Sequence, residues 1–302
     1  MGKNKETAMP ARRVRISRGE QIFYVINYIV MAAVGLICLY PMWYVLVASF
    51  SDPNKMMMHT GGLLKPLGFS TSAYEKVFAN PNIISGYRNV LFILIVGVIL
   101  CLIMTSLGAY VLSRKNLLWK KPLMLFIMFT MFFSGGMIPF YLNLKSFNLT
   151  NSLWGLIIPF MITTYNMIIL RTSFESIPES LIEAAQIDGA SHMKILTSIV
   201  LPLSKAALAV QVLYYGVEKW NAWFWASSII RDRDKLPLQV ILREILLSST
   251  ANMQAGGGGD TEAIGRTIRY ATIMVATVPI LMIYPLIQKY FTKGVMIGAV
   301  KE

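Results

Sequence analysis

Val90–Ser113 reads VLFILIVGVILCLIMTSLGAYVLS, a run without a single charged side chain. A helix rises about 1.5 Å per residue and needs ~20 mainly apolar residues to cross a hydrocarbon core about 30 Å thick, so this run can span a bilayer. Moving outward from it, the same signature recurs. Upstream, no charge falls between Glu20 and Asp52. That predicts a first helix over Phe23–Ala48, longer than the ~7–15-residue apolar region of a cleaved signal. Downstream lie Pro122–Leu144, Ser152–Leu170, Ser204–Ala226 and Tyr270–Gln288. Gly135, Gly136 and Pro139 should bend or break the outer end of the third run, and Pro279 and Pro285 should kink the last. The expectation is an all-α polytopic membrane protein with six transmembrane helices.

Composition agrees. Of 302 residues, 55% are hydrophobic and 14% charged, against about 45–50% and about 25% in a soluble domain. The net charge of +13 lies in short segments between apolar runs. A nucleic-acid binder would gather Lys and Arg on one soluble face, so that class is excluded. Cys38 and Cys101 sit inside apolar runs, placed for neither a metal nor a disulfide framework.

Six crossings put both termini on one side. The 1–22 tail carries Lys3, Lys5, Arg12, Arg13, Arg15 and Arg18, and the loop after Ser113 carries Arg114, Lys115, Lys120 and Lys121. By the positive-inside rule both termini are cytoplasmic. Segments 49–89 and 227–269 are then extracytoplasmic, a segment over 175–203 is cytoplasmic, 90–290 holds five of the helices, and 291–302 is a cytoplasmic tail.

The 175–203 segment contains SIPESLIEAAQIDGASHMKILTSIVLP, Ser176 to Pro202. Ser176 and Glu179 have capping-box spacing, with Pro178 in the first turn. Gly189 suits the left-handed residue that ends a helix, and Ser191 can cap the next. The expected object is a stiff helix–turn–helix beneath the membrane. Ala184 and Ala185 lower its surface for close approach, and Glu183 offers one carboxylate to a partner cation. An ordinary amphipathic loop helix fits these residues equally well.

The pattern Glu183-Ala184-Ala185, three residues, Gly189, nine residues, Ile199-x-Leu201-Pro202 resembles the signature of membrane subunits of binding-protein-dependent ABC importers. Trp220-Asn221 and the ending Lys293-Gly294-Val295-Met296-Ile297-Gly298-Ala299-Val300-Lys301 are similar to features of the carbohydrate-type permeases, among them the smaller maltose-transporter subunit and permeases for polysaccharide-derived and uronate-containing oligosaccharides. The resemblance implies a type I importer (MetI-like) permease fold in a bacterial-type plasma membrane. It further implies a second, non-identical permease, two cytoplasmic ATPases that bind ATP and Mg, and an external solute-binding protein. Glu183, Ala184, Ala185, Asp188, Gly189, Ile199, Leu201 and Pro202 would form the element coupling ATP hydrolysis to transport. His192 reads as an exposed loop residue.

No cofactor is expected on this chain. A phosphate-cradling loop needs Gly, four residues, then Gly-Lys-Ser/Thr. The nearest stretch, Gly256–Thr267, lacks the first Gly five positions before Gly265 and has Arg266 for Lys. It reads as a flexible loop. Its tip, Gly256, Gly257, Gly258 and Gly259, is a candidate contact for the binding protein by analogy with the maltose system, or a plain linker.

Glu218, Lys219 and Asn221 lie among Tyr214, Tyr215, Trp220, Trp223 and Trp225. Aromatic faces beside hydrogen-bonding groups suit a sugar, so Asn221, Trp220, Glu218 and Tyr215, with Tyr165 and Asn166, are candidate pathway residues. The rival reading is an aromatic belt with Lys219 reaching out to the interface. An importer of a non-sugar solute stays open, and so does a secondary transporter. The latter would need buried ionisable residues along an ion route, and the apolar runs are nearly free of them. An intramembrane metalloenzyme lacks a His and carboxylate cluster.

Overall fold

A computed structural model describes residues 17–254 and 259–299. Helix α1 spans Arg18–Ser49 and opens on a capping box. There Ser17 Oγ accepts from Glu20 N at 3.2 Å while the Glu20 carboxylate accepts from Ser17 N at 2.6 Å. Two short helices follow, α2 (Pro53–Met58) and α3 (Ser72–Phe78). Then come α4 (Asn82–Ser113), α5 (Lys120–Phe132), α6 (Met137–Ser146), α7 (Thr164–Glu175) and α8 (Glu179–Ile187). After them come α9 (His192–Ile195), α10 (Leu201–Leu203), α11 (Lys205–Trp220) and α12 (Trp223–Ile229). The last are α13 (Leu238–Gln254) and α14 (Gly259–Ala299).

Three helices, at 18–49, 82–113 and 263–283, are long and apolar enough to cross a membrane unbroken. Three bent pairs bring the total to six if each is one span. The pair α5 and α6 turns by 110° at Gly136, whose φ of 91° only glycine adopts without strain. The fourth run does not form the single helix expected. Residues 153–160 make 3₁₀ turns around Gly155 and Pro159, then bend by 47° into α7. That helix continues past Arg171 because Arg171 donates to Leu112 O at 3.2 Å and to Glu175 at 2.6 Å.

The 227–269 segment differs most from expectation. It is largely helical, and α14 begins at Gly259 rather than near Tyr270. Ala263, Thr267 and Ala271 recur every four residues and are all buried, which gives the early turns of α14 a packing face. The supposed flexible loop is therefore ordered from Gly259 onward, while Gly256, Gly257 and Gly258 lie outside the described residues. So do residues 1–16 of the basic tail and 300–302.

Apolar packing concentrates at the two ends of the bundle. One core joins α3, α4, α12, α13 and α14 through Val77, Ile83, Ile93, Ile229, Leu238 and Val275. Gly86 makes this contact close, because a Cβ there would sit 2.6 Å from Ile241 Cδ1 and 3.1 Å from Leu238 Cα. The other core gathers Tyr110, Leu170, Phe174, Ile182, Ile195 and Val200 under the α8–α9 hairpin. Among the described residues, the buried contacts of α1, a helix apolar along most of its length, lie near its end, where Val47, Ala48, Met56 and Leu63 cluster.

Candidate functional site

The hairpin is built by its turn. Helix α8 ends with Gly189 N donating to Gln186 O at 3.0 Å and Ala190 N donating to Ala185 O at 2.9 Å. This pair of bonds is a Schellman motif, and it requires the φ of 76° that Gly189 adopts. Ser191 then caps α9, accepting from Lys194 N at 3.4 Å. At the other end the expected capping box is absent. Ser176 Oγ donates to Ser173 O at 2.7 Å instead, because Ser176 already closes α7 and Pro178 occupies the cap position of α8.

The hairpin has two faces. Ile182, Ile195 and Leu196 are buried against α4 and α7, with Ala185 half-buried beside them. Glu183, Ala184, Asp188 and Gly189 are exposed, and with them Leu181, Ile187 and Met193. Ile187 is 86% exposed, a large apolar side chain with nothing to cover it. The apolar residues Leu181, Ala184 and Ile187 recur every three positions and form a second apolar edge. The repeat is present in the sequence, but which of Leu181, Ile182, Ala184 and Ala185 faces the bundle is set by packing against α4 and α7.

Behind the hairpin the backbone widens into a π-helical turn over Leu196–Val200, a feature often found at functional sites. Ile199 and Leu201 are half-buried at this root and Pro202 is exposed. The chain then bends by 86° into α11. Ser204 N bridges the bend, donating to Val200 O at 3.0 Å. The eight motif residues thus form one rigid unit fixed to the start of a long helix. His192 is exposed, and its Nδ1 hydrogen-bonds the Tyr110 hydroxyl at 3.2 Å. No metal-holding cluster occurs among the described residues.

The six candidate pathway residues divide. Tyr215, Trp220 and Asn166 are buried. The Tyr215 hydroxyl shares a 2.6 Å hydrogen bond with Thr105 and accepts from Thr163 N at 3.3 Å. Trp220 Nε1 donates to Ala276 O at 3.2 Å, and Asn166 O accepts from Gln211 at 3.1 Å. Tyr215 and Trp220 thus tie helices together through their side chains, and Asn166 does so through its backbone carbonyl. Glu218, Asn221 and Tyr165 are exposed. With Tyr214 and Val217, both exposed, the α11 positions 214, 217, 218 and 221 make one helical stripe. Tyr165 of α7 meets it, its ring centroid 6.3 Å from that of Tyr214.

Lys219 does not reach outward. It is 3% exposed, and its stem crosses the bare backbone of Gly97. Its Nζ donates to Phe160 O at 3.2 Å and lies 3.8 Å from Glu218. Gly97 leaves room for the long stem, and a carbonyl freed by the 3₁₀ segment supplies the acceptor. Trp223 and Trp225 are half-buried. The Arg243 guanidinium stacks 3.5 Å above Trp223, and Trp225 packs on Phe140 at 4.6 Å.

A third ordered region links elements on the side of the bundle away from the hairpin. Asn151 accepts from Arg231 N at 3.1 Å and Asp232 N at 3.0 Å, and donates to the Asp232 carboxylate at 2.9 Å. Lys235 closes it with a 2.8 Å bond to Asp232. These two side chains, Lys235 first, hold the Asp232 carboxyl below the ordinary aspartate range.

Comparison with known proteins bears on the family and the fold. The family described as "Binding-protein-dependent transport system inner membrane component" matches residues 115–297. The chain is 39% identical to the polygalacturonan/rhamnogalacturonan transport system permease protein of Bacillus subtilis (strain 168), over 93% of this chain and 99% of that one. It is 24% identical to the arabinooligosaccharides transport system permease protein of Halalkalibacterium halodurans, over 89% and 94%. Among solved structures it resembles, with a TM-score of 0.81 and 34% identity over 91% of this chain and 98% of that one, a chain of a bacterial ABC transporter involved in the import of the acidic polysaccharide alginate.

Proposed function

The chain belongs to the family of binding-protein-dependent transport system inner membrane components, and from that premise we propose that it is the permease subunit of an ATP-driven importer for uronate-containing oligosaccharides. The proposed setting is a bacterial plasma membrane, with the hairpin and both termini in the cytoplasm. A second, non-identical permease, two ATPases and an external binding protein complete the assembly. The substrate class follows from the likeness to permeases named for acidic polysaccharides at 34% and 39% identity. ATP and Mg belong to the ATPases, and no cofactor is assigned to this chain.

The observation that carries the reading is the two-faced hairpin. Its inner face is locked into the bundle by Ile182 and Ile195, while its outer face presents Leu181, Ala184 and Ile187 beside the Glu183 carboxylate. Such a surface fits a cleft in a partner, with the apolar residues filling it and Glu183 meeting a cation at the rim. Because Ile182 and Ile195 are in the same core as Leu170 and Tyr110, displacement of the hairpin displaces α4 and α7 with it. The π turn and the bend at Ser204 pass the same displacement to α11. ATPase closure thus swings the helices from inward-open to outward-open, and ATP hydrolysis resets them.

On α11 the stripe of Tyr214, Val217, Glu218 and Asn221, joined by Tyr165, faces away from this subunit's own core and is the proposed lining of the pathway. Tyrosine rings stack on sugar C–H faces, while Glu218 and Asn221 take hydroxyl hydrogen bonds. Lys219 behind Glu218 balances its charge, which limits repulsion of a substrate carboxylate. Gly256–Gly259 is kept as a proposed contact for the binding protein.

The test is uptake of labelled oligogalacturonides into proteoliposomes holding the assembled transporter. Glu183→Lys should abolish uptake while leaving the protein in the membrane, and Tyr214→Ala with Asn221→Ala should lower uptake while ATP hydrolysis continues. Normal uptake by Glu183→Lys would remove the coupling assignment.

A further inference from the structure

Beside the hairpin, a cleft of about 410 Å³ opens between the end of α4, the 114–119 turn and α9. Its walls combine two chemistries. Leu107, Val111 and Leu196 are apolar, whereas Arg114, Asn116 and His192 are polar. The Arg114 guanidinium lies 4.9 Å above the Tyr110 ring. It donates through Nη2 and Nε to Ser113 Oγ at 2.9 and 3.2 Å. Its Nη1 is buried and has no acceptor. Arg114 as a whole is half-buried and lines the cleft, so the part of its permanent cation that the cleft leaves open is a favourable partner for an anionic oxygen.

The charge around the cleft favours an anion. Lys115 follows Arg114 directly and Lys121 lies further along the same turn and helix start, whereas Lys120 is occupied by Glu175 at 2.8 Å. Glu179 is close enough to act electrostatically on Tyr110, so the site is positive but not uniformly so. Its apolar wall is continuous with the outer surface of the bundle. Ile103 and Val111 are each half exposed, and with Leu107 between them they stay within about 80° of one another around α4. A ligand that meets both walls has a phosphate head and a long apolar tail.

We propose that this cleft binds the phosphate headgroup of an anionic phospholipid, with one acyl chain lying along the Ile103, Leu107 and Val111 stripe of α4. The leaflet concerned is the cytoplasmic one, which rests on the orientation proposed above. Tyr110 and His192 join the cleft to the first residue of α9 through their 3.2 Å hydrogen bond. A ligand that meets both Arg114 and the start of α9 would therefore fasten the hairpin to α4. Transport becomes sensitive to anionic lipid through a site that adjoins the coupling surface at Met193, which lines the cleft.

Native mass spectrometry of the assembled transporter, equilibrated with equal phosphatidylglycerol and phosphatidylcholine, tests this. The wild type should retain phosphatidylglycerol in preference. Arg114→Gln, which removes a charge-assisted bond, should weaken that retention roughly tenfold or more. Val111→Trp, which fills the apolar slot and leaves every charge in place, should do the same and covers the case in which Arg114→Gln fails to assemble. ATP hydrolysis by the wild type should rise in phosphatidylglycerol vesicles over phosphatidylcholine vesicles, with the rise lost in both variants. Equal retention by wild type and variants overturns the site. Displacement by millimolar glycerol phosphate as readily as by lipid overturns the lipid assignment in favour of a soluble phosphate. Retention that appears only after the ATPase is stripped away gives the cleft to an ATPase side chain, and also refutes the proposal. Uptake that persists in phosphatidylcholine would leave the importer reading intact through any of these failures.

Discussion

Replacing Gly189 with alanine separates the backbone of the hairpin turn from everything around it. An added Cβ would meet nothing within 4 Å, so no clash enters the result. What remains is the φ of 76°, where an L-side chain costs about 1–2 kcal/mol. That shifts the equilibrium between the turn as built and a relaxed alternative by a factor of about 5–30. Relaxation breaks the bonds from Gly189 N to Gln186 O and from Ala190 N to Ala185 O, so α8 loses its fixed angle to α9. Ile182 and Ile195 still hold each arm to the bundle, and thermal unfolding in detergent should change by only a few degrees. The assay is uptake per ATP hydrolysed in proteoliposomes. Gly189→Ala should lower that ratio several-fold, Gly189→Asn less because asparagine tolerates the left-handed region, and Gly189→Val most. A valine variant that couples as well as wild type would refute the claim that the turn must be rigid.

Other outcomes follow from packing and charge. Gly86→Ala drives a methyl toward Ile241 and the Leu238 backbone and should destabilise the α4–α13 contact by about 1–3 kcal/mol, read as a lowered unfolding temperature. Lys219→Met keeps the stem and removes a buried cation and should fall within about 1 kcal/mol of wild type, whereas Lys219→Ala leaves a hole and should cost about 3 kcal/mol. Thermal unfolding of the pair in one detergent distinguishes them, and equal losses would show that the charge, not the packing, matters. The Asp232 carboxyl is held below its ordinary value of 3.8, so its contribution is complete above that pH and is lost only as pH falls further through the lowered value. Amide exchange at Arg231 and Asp232 should therefore show full protection from neutral pH down to about 4, and loosening in that range would contradict the clasp.

The charge-free runs made the membrane class and the helical content legible, because hydrocarbon admits few alternatives for a long apolar segment. The break near Gly136 and the turn at Gly189 were readable for a related reason, since each needs a conformation that glycine supplies. Helix α13 was hidden. The stretch 227–269 reads as one extracytoplasmic loop, although Leu238, Val240, Ile241 and Leu242 are buried and Arg243 and Glu244 lie beside them in the same helix. The choice of face on α11 was equally hidden. Tyr214 and Tyr215 are neighbours of one chemistry, and only the packing of α4 and α14 decides that Tyr215 turns inward. Lys219 shows the same limit, for its burial depends on Gly97 and Phe160, both distant in sequence.

Photo-crosslinking from the tip of the hairpin probes the central claim most directly. A benzophenone maleimide would be placed on Ile187→Cys after Cys38 and Cys101 have been replaced, in the assembled transporter in vesicles. The account predicts a crosslink to the ATPase subunit whose yield changes when ATP closes the ATPase dimer. Adducts only to lipid or water, with or without ATP, would contradict it.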